Sequence, residues 1–134
     1  MSAYTPVAGS RKALVDSVNA GSDQWAAALS NVAPSSTTFT AGTSDLPTGS
    51  GYTAGGENVL TTSANEVAGV LSLILGNPAT WNFTGSVTFR YVLLVDKTVN
   101  IIMGYWDYGT AITTNSGDTM AVTLDGTNGV FEVA

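Results

Sequence analysis

Four basic and ten acidic side chains are the whole formal charge of this 134-residue sequence, which contains neither cysteine nor histidine. The ten carboxylates are the set to weigh for bond-breaking chemistry. Two carboxylates flanking a glycosidic bond suffice for sugar hydrolysis, and Asp96, Asp107 and Asp118 are the set that a suitable fold would bring together. Against that, Asp96, Asp118 and Asp125 lie in turn sequences, where aspartate commonly bonds its own backbone. The stretch Asp118 to Asp125 does not match calcium-loop spacing, although oxygen coordination is permissive enough to leave a structural calcium at turn carboxylates open. Without histidine or cysteine there is no Ser-His-Asp set, thiolate, disulfide or cysteine zinc site. Gly55 and Gly56 precede Glu57, but no Lys or Ser/Thr completes a phosphate loop, so Gly51 to Gly56 reads as a tight turn needing positive φ. The expectation is a protein that is not an enzyme, with no catalytic, metal or cofactor-binding residue.

The aromatic run Tyr105, Trp106 and Tyr108 invites a carbohydrate platform. Strand alternation places Tyr105 opposite the other two, so the three do not make one flat surface. Core packing is expected for most of them, with Tyr105 facing outward toward a neighbouring subunit, since tyrosine is enriched at interfaces.

The elements that would position these residues are mostly strands. Arg11 to Ala20 has helical spacing, with Leu14, Val15 and Val18 on one face, Ser10 as the cap and Gly21 at the C-terminal stop. Downstream the period is two. Trp25, Ala27 and Leu29 alternate with Ala26, Ala28 and Ser30. Asn31 to Glu57 is a long loop region rich in Ser, Thr, Gly and Pro, with a short extended piece near Thr37 to Thr40, and loops of that length usually serve a purpose. Strands follow at Asn58 to Asn65 and Val67 to Leu75, where Leu71, Leu73 and Leu75 share a side, and at Thr80 to Phe83. Val87, Phe89, Tyr91, Leu93 and Val95 read as one inward face. Asp96 to Asn100 is a hairpin connection into Ile101 to Tyr108, where Ile102, Trp106 and Tyr108 share a side. Short strands at Ala111 to Thr114, Met120 to Leu124 and Val130 to Val133 complete the chain, the last two joined by the turn Asp125 to Gly129. About eight short strands without intervening helices predict an all-β fold, an antiparallel β-sandwich or jelly-roll-like barrel with one short N-terminal helix. One domain over 1–134 is expected, with an N-terminal arm (1–9) and a long loop region (31–57).

Apolar residues make up 44% of the sequence and charged ones only 10%, well below the quarter usual for soluble domains. A surface of small hydroxyls and amides buries against a partner without the desolvation cost of charges. A net charge of −6, with Arg11, Lys12, Arg90 and Lys97 scattered, argues against direct nucleic-acid binding. Met1 to Pro6 lacks the basic start and apolar run of a signal peptide, and Val70 to Leu75 is too short to cross a bilayer. No membrane association is expected, and synthesis in the cytoplasm is.

Several runs together carry a resemblance. They are Gly49-Ser50-Gly51-Tyr52-Thr53-Ala54-Gly55-Gly56, Asn77-Pro78-Ala79-Thr80-Trp81 and Phe89-Arg90-Tyr91-Val92-Leu93-Leu94, then Gly104-Tyr105-Trp106-Asp107-Tyr108-Gly109, Ser116-Gly117-Asp118-Thr119 and Leu124-Asp125-Gly126-Thr127-Asn128-Gly129-Val130. In this order they resemble a widespread family of small tailed-bacteriophage virion structural proteins. Val99-Asn100-Ile101-Ile102-Met103 departs from it as a tighter connection than the family's longer polar hairpin. The resemblance implies a virion role without catalytic residues, in a particle assembled in the bacterial host cytoplasm. The expected form is a capsid decoration or cement protein whose partners are the major capsid protein and copies of itself, as a homo-oligomer. A neck, tail or fibre-base component and a carbohydrate-binding adsorption module are the alternatives. Loop position and alternation select Tyr4, Pro6, Val7, Phe39, Leu46, Tyr52 and Tyr105 as interface residues, with the arm adding a strand to a neighbour's sheet.

Overall fold

The computed structural model describes residues 4–124 and 131–133. The chain is all-β apart from one short helix. In order, the elements are β1 (Thr5–Pro6), α1 (Ser10–Asp16), β2 (Trp25–Ser30), β3 (Glu57–Val59), β4 (Thr61–Val67), β5 (Val70–Leu75), β6 (Trp81–Asn82), β7 (Thr88–Asp96), β8 (Ile101–Thr113), β9 (Thr119–Met120) and β10 (Phe131–Val133). A five-stranded sheet runs β1-β8-β7-β2-β3, a three-stranded sheet β10-β5-β4, and a ribbon pairs β6 with β9. Every pairing is antiparallel.

The large sheet is covered on both faces, which explains why β2 is buried from end to end. One face meets the other two sheets across the main core, built from Trp25, Ala27 and Leu29 of β2, Leu73 and Leu75 of β5, Trp81 and Phe83, Val92 and Leu94 of β7, and Trp106 of β8. The opposite face carries a second cluster of Val7, Ala28, Phe39, Leu93, Val95 and Ile102. Alanines at positions 26, 27 and 28 let covering layers approach a strand that has no solvent side.

Three sequence expectations are corrected here. The supposed single inward face of β7 is two faces. Pairing with β8 slips between Phe89 and Tyr91, so Phe89 enters the main core while Leu93 and Val95 enter the second. A bulge of this kind reverses the side on which every later residue lies. A second slip between Leu94 and Val95 likewise separates Ile102, in the second cluster, from Trp106, in the main one. The helix is shorter than its spacing indicates. It spans Ser10–Asp16, with Gly9 in the left-handed conformation before it rather than Ser10 as a side-chain cap. Beyond it Asn19 and Asp23 bond reciprocally, the Asp23 N–H to the Asn19 carbonyl (2.8 Å) and the Asn19 N–H to Asp23 Oδ2 (2.9 Å). Such local side-chain bonds compete with helix continuation.

The β7–β8 hairpin closes where expected, with Asp96 opposite Ile101 and Asn100 at φ 56°. The separate strand expected at Ala111 to Thr114 is instead the far end of a continuous β8. Leu73 and Leu75 share the buried side of β5; the side chain of Leu71, the turn Asp125 to Gly129 and Val130 lie outside the described residues.

Candidate functional site

The carboxylates do not gather. Asp96 closes the β7–β8 hairpin, whereas Asp107 faces Tyr91 across the same strand pair. Five residues of strand, about 17 Å, separate those positions. Asp107 holds Arg90 through two bonds of 2.8 and 3.1 Å, and this pairing, aided by the Gly109 N–H, keeps its carboxyl below the usual range. Asp118 braces its own turn by accepting the Asn115 N–H at 2.7 Å. No group of three or more acidic residues suited to a metal occurs among the described residues.

Asp45, which carries no motif, organises the long loop. Its carboxylate accepts the N–H of Gly42 (2.6 Å), the N–H of Gly55 (2.7 Å) and the Tyr52 hydroxyl. The Tyr52 oxygen in turn accepts the N–H of Leu29 at 3.1 Å, so the loop is tied to the central strand. Burial, reinforced by the bond to Asp45, pushes the Tyr52 hydroxyl far above the usual phenol range. Gly56 needs to be glycine: at φ +75°, a Cβ there would lie 2.1 Å from the Ala27 carbonyl oxygen. Thr38 forms a bridge to Ile101, and Phe39 drops into the second cluster. The loop is thus a lid on the large sheet. The loop itself lines an open pocket of about 330 Å³, walled by Ser30, Ser36, Thr38, Ser44, Asp45 and Ile102.

The seven proposed interface residues divide. Val7, Phe39 and Tyr52 are buried in this chain's own cores and offer no surface to a partner. Their selection from loop position fails because the loop and the arm fold back onto the sheet. The arm adds its strand to its own β8, with Thr5 opposite Tyr105 and Pro6 opposite Gly104. Tyr4 is half-buried, its ring over Gly104 and edge-on to Trp106 at 5.3 Å. A Cβ at position 104 would meet that ring at 2.2 Å, which accounts for a glycine within a strand. Leu46 is half-buried against the main core, and Pro6 is exposed.

Tyr105 is half-buried as well, and it has company. Its ring meets Tyr91 edge-on at 5.6 Å, and the Arg90 guanidinium lies 5.3 Å from the Tyr91 ring centre while gripping Asp107. Tyr91, Tyr105, Arg90 and Asp107 thus form a connected, partly exposed patch at the middle of the large sheet. Tyr105 and Asp107 are recognisable together from alternation along β8. Arg90 and Tyr91 depend on the slip between Phe89 and Tyr91, and their adjacency in sequence is the signal available. Trp106, by contrast, is 6% exposed in the main core, so it is no sugar platform. Replacing it by alanine is expected to cost about 3–5 kcal/mol of stability.

Comparison with models of known families, with curated proteins and with solved structures finds no match.

Proposed function

We propose that this chain is a non-enzymatic structural protein of a tailed-phage particle, a decoration or cement subunit that binds the outer shell and reinforces capsomer junctions. The observation that carries the reading is the deployment of its polar groups. Asp45, Asp107 and Asp118 each brace a loop, a strand pair or a turn of the chain itself, while the partly exposed aromatics sit together with an arginine. Tyrosine and arginine are the residue types enriched at protein contacts, and the low charge density around them reduces the desolvation cost of association. The patch of Tyr91, Tyr105, Arg90 and Asp107 is the contact face toward the shell protein or a second copy. Many modest contacts repeated over a particle give strength without tight binding at any one site.

Quantitative mass analysis of purified particles tests this. Hundreds of copies per particle, and particles that assemble without the protein but rupture sooner on heating, are expected. Six or twelve copies place it in the neck or tail instead, and absence from particles ends the structural reading. Tyr105→Ala combined with Tyr91→Ala is expected to lower occupancy on the particle while the isolated domain stays folded.

A further inference from the structure

Asp96 is fully buried at the corner where the β7–β8 hairpin meets the start of β2. Its Oδ1 accepts the Thr98 N–H at 3.0 Å, and the Val99 N–H also bonds the carboxyl group, but its Oδ2 has no donor among the described residues. What lies against it is another carboxyl group, that of Asp23. Asp23 is held in place from both sides. It is tied to Asn19 through the reciprocal bonds described above, and the next residue is clamped to the hairpin, with the Gln24 N–H on Thr98 Oγ1 (2.8 Å) and the Lys97 N–H on the Gln24 carbonyl (2.8 Å). The nearby charges give no relief. Lys97 turns away to Asn58 at 3.2 Å, Asp16 is bound to Lys12, and Glu57 acts on Tyr52 rather than Asp96. Among the charged groups of the described residues, Asp23 is the one that acts on Asp96.

Two carboxylates cannot both ionise at hydrogen-bonding range inside a protein without a large cost, and the economical arrangement is one proton between them. We propose that Asp96 and Asp23 share a proton and form an acid-closed latch between the α1–β2 connection and the β7–β8 hairpin. In the closed state protonated Asp96 donates to the Asp23 carboxylate. As the pH rises the proton leaves to solvent, and two like charges face each other across the corner. Burial first, and then Asp23, hold the Asp96 carboxyl up at about 7. That is above the value of ~3.9 for an unfolded aspartate, so the pair's stabilisation is complete below about pH 4, declines as the pH climbs, and is gone once Asp96 has ionised above about pH 7. The latch does not depend on the particle reading and is tested on the isolated protein.

The experiment is a carboxyl-carbon NMR titration of the full chain, paired with melting curves. Asp96 is expected to titrate near 7, and in Asp23→Asn, whose new amide supplies Oδ2 with a donor, to titrate at least about one unit lower. The wild-type Tm is expected to drop between pH 5 and pH 8 by on the order of 5 °C more than that of Asp96→Asn. Amide exchange at Lys97 and Thr98 is expected to quicken over the same interval in wild type alone. Titration of Asp96 in the ordinary carboxylate range, or a value unmoved by Asp23→Asn, overturns the proposal. So does a calcium-induced rise in Tm at pH 8 that Asp96→Asn abolishes, because the gap is then a cation site.

Discussion

Two buried aspartates hold two turns of this molecule, and they do so under opposite conditions. Asp45, inside the long loop, has three donors converging on it: the N–H groups of Gly42 and Gly55 and the Tyr52 hydroxyl. Asp96, inside the β7–β8 corner, is at least as deeply buried but keeps one oxygen without a donor and faces a second acid. Depth is therefore not what distinguishes them. A buried carboxyl group is tolerated when its neighbours donate, and becomes a liability when they do not. The loop is built as a fixed lid, and the corner as a part whose strength varies with its surroundings.

The contrast is broken most severely by Asp45→Ala. Removing that carboxylate takes the acceptor from the buried Gly55 N–H, the part-buried Gly42 N–H and the Tyr52 O–H, and a loss of about 3–4 kcal/mol is expected in urea unfolding at pH 7. Tyr52→Phe takes away a single hydroxyl between Asp45 and Leu29, and a loss of about 1–2 kcal/mol is expected in the same assay. Asp96→Asn runs the other way. At pH 8 it relieves a like-charge pair, so its unfolding midpoint is expected to match or exceed wild type, whereas any comparable change at Asp45 lowers it. The mildest effect belongs to the surface pair. Because Arg90 depresses the Asp107 carboxyl, the stabilisation from that contact is present above about pH 4 and disappears on acidification. Arg90→Ala is expected to remove this acid-side rise from the Tm profile while leaving intact the decline of the Asp96 pair between about pH 4 and pH 7.

Much of the fold is legible in the residues. The alternation around Trp25, the leucines of β5 and the spacing of turn clusters all point to an antiparallel all-β chain with one short N-terminal helix. What alternation does not report is where it reverses. The irregularity at Arg90 sets a step of two residues in β7, from Phe89 to Tyr91, against a step of five in β8, from Ile112 to Asp107, and it moves Leu93 and Val95 to the far side of the sheet. The same blindness hides the Tyr91–Tyr105 patch. Gly109 in β8 reads as a break although the strand continues through it at φ +87°. The Asp23–Asp96 pair is illegible for a different reason, since only the β2–β7 register brings residues so distant in sequence together.

That register also bears on how the protein is made. Trp25 pairs with Asp96, and Ser30 with Tyr91, so the central strand waits for its full-length partner, while the three-residue β3 on its other side arrives sooner and covers only Trp25, Ala26 and Ala27. At roughly 5–20 residues per second, the ribosome takes roughly 4–14 s to cover the distance between β2 and β7. Until β7 is made, the segment Trp25–Ser30, buried along its whole length in the folded chain, has only the short β3 to pair with, and only over Trp25, Ala26 and Ala27. The nascent chain therefore depends on rapid translation of its middle third, or on a cellular holdase, before the long edge of its central strand is covered by β7.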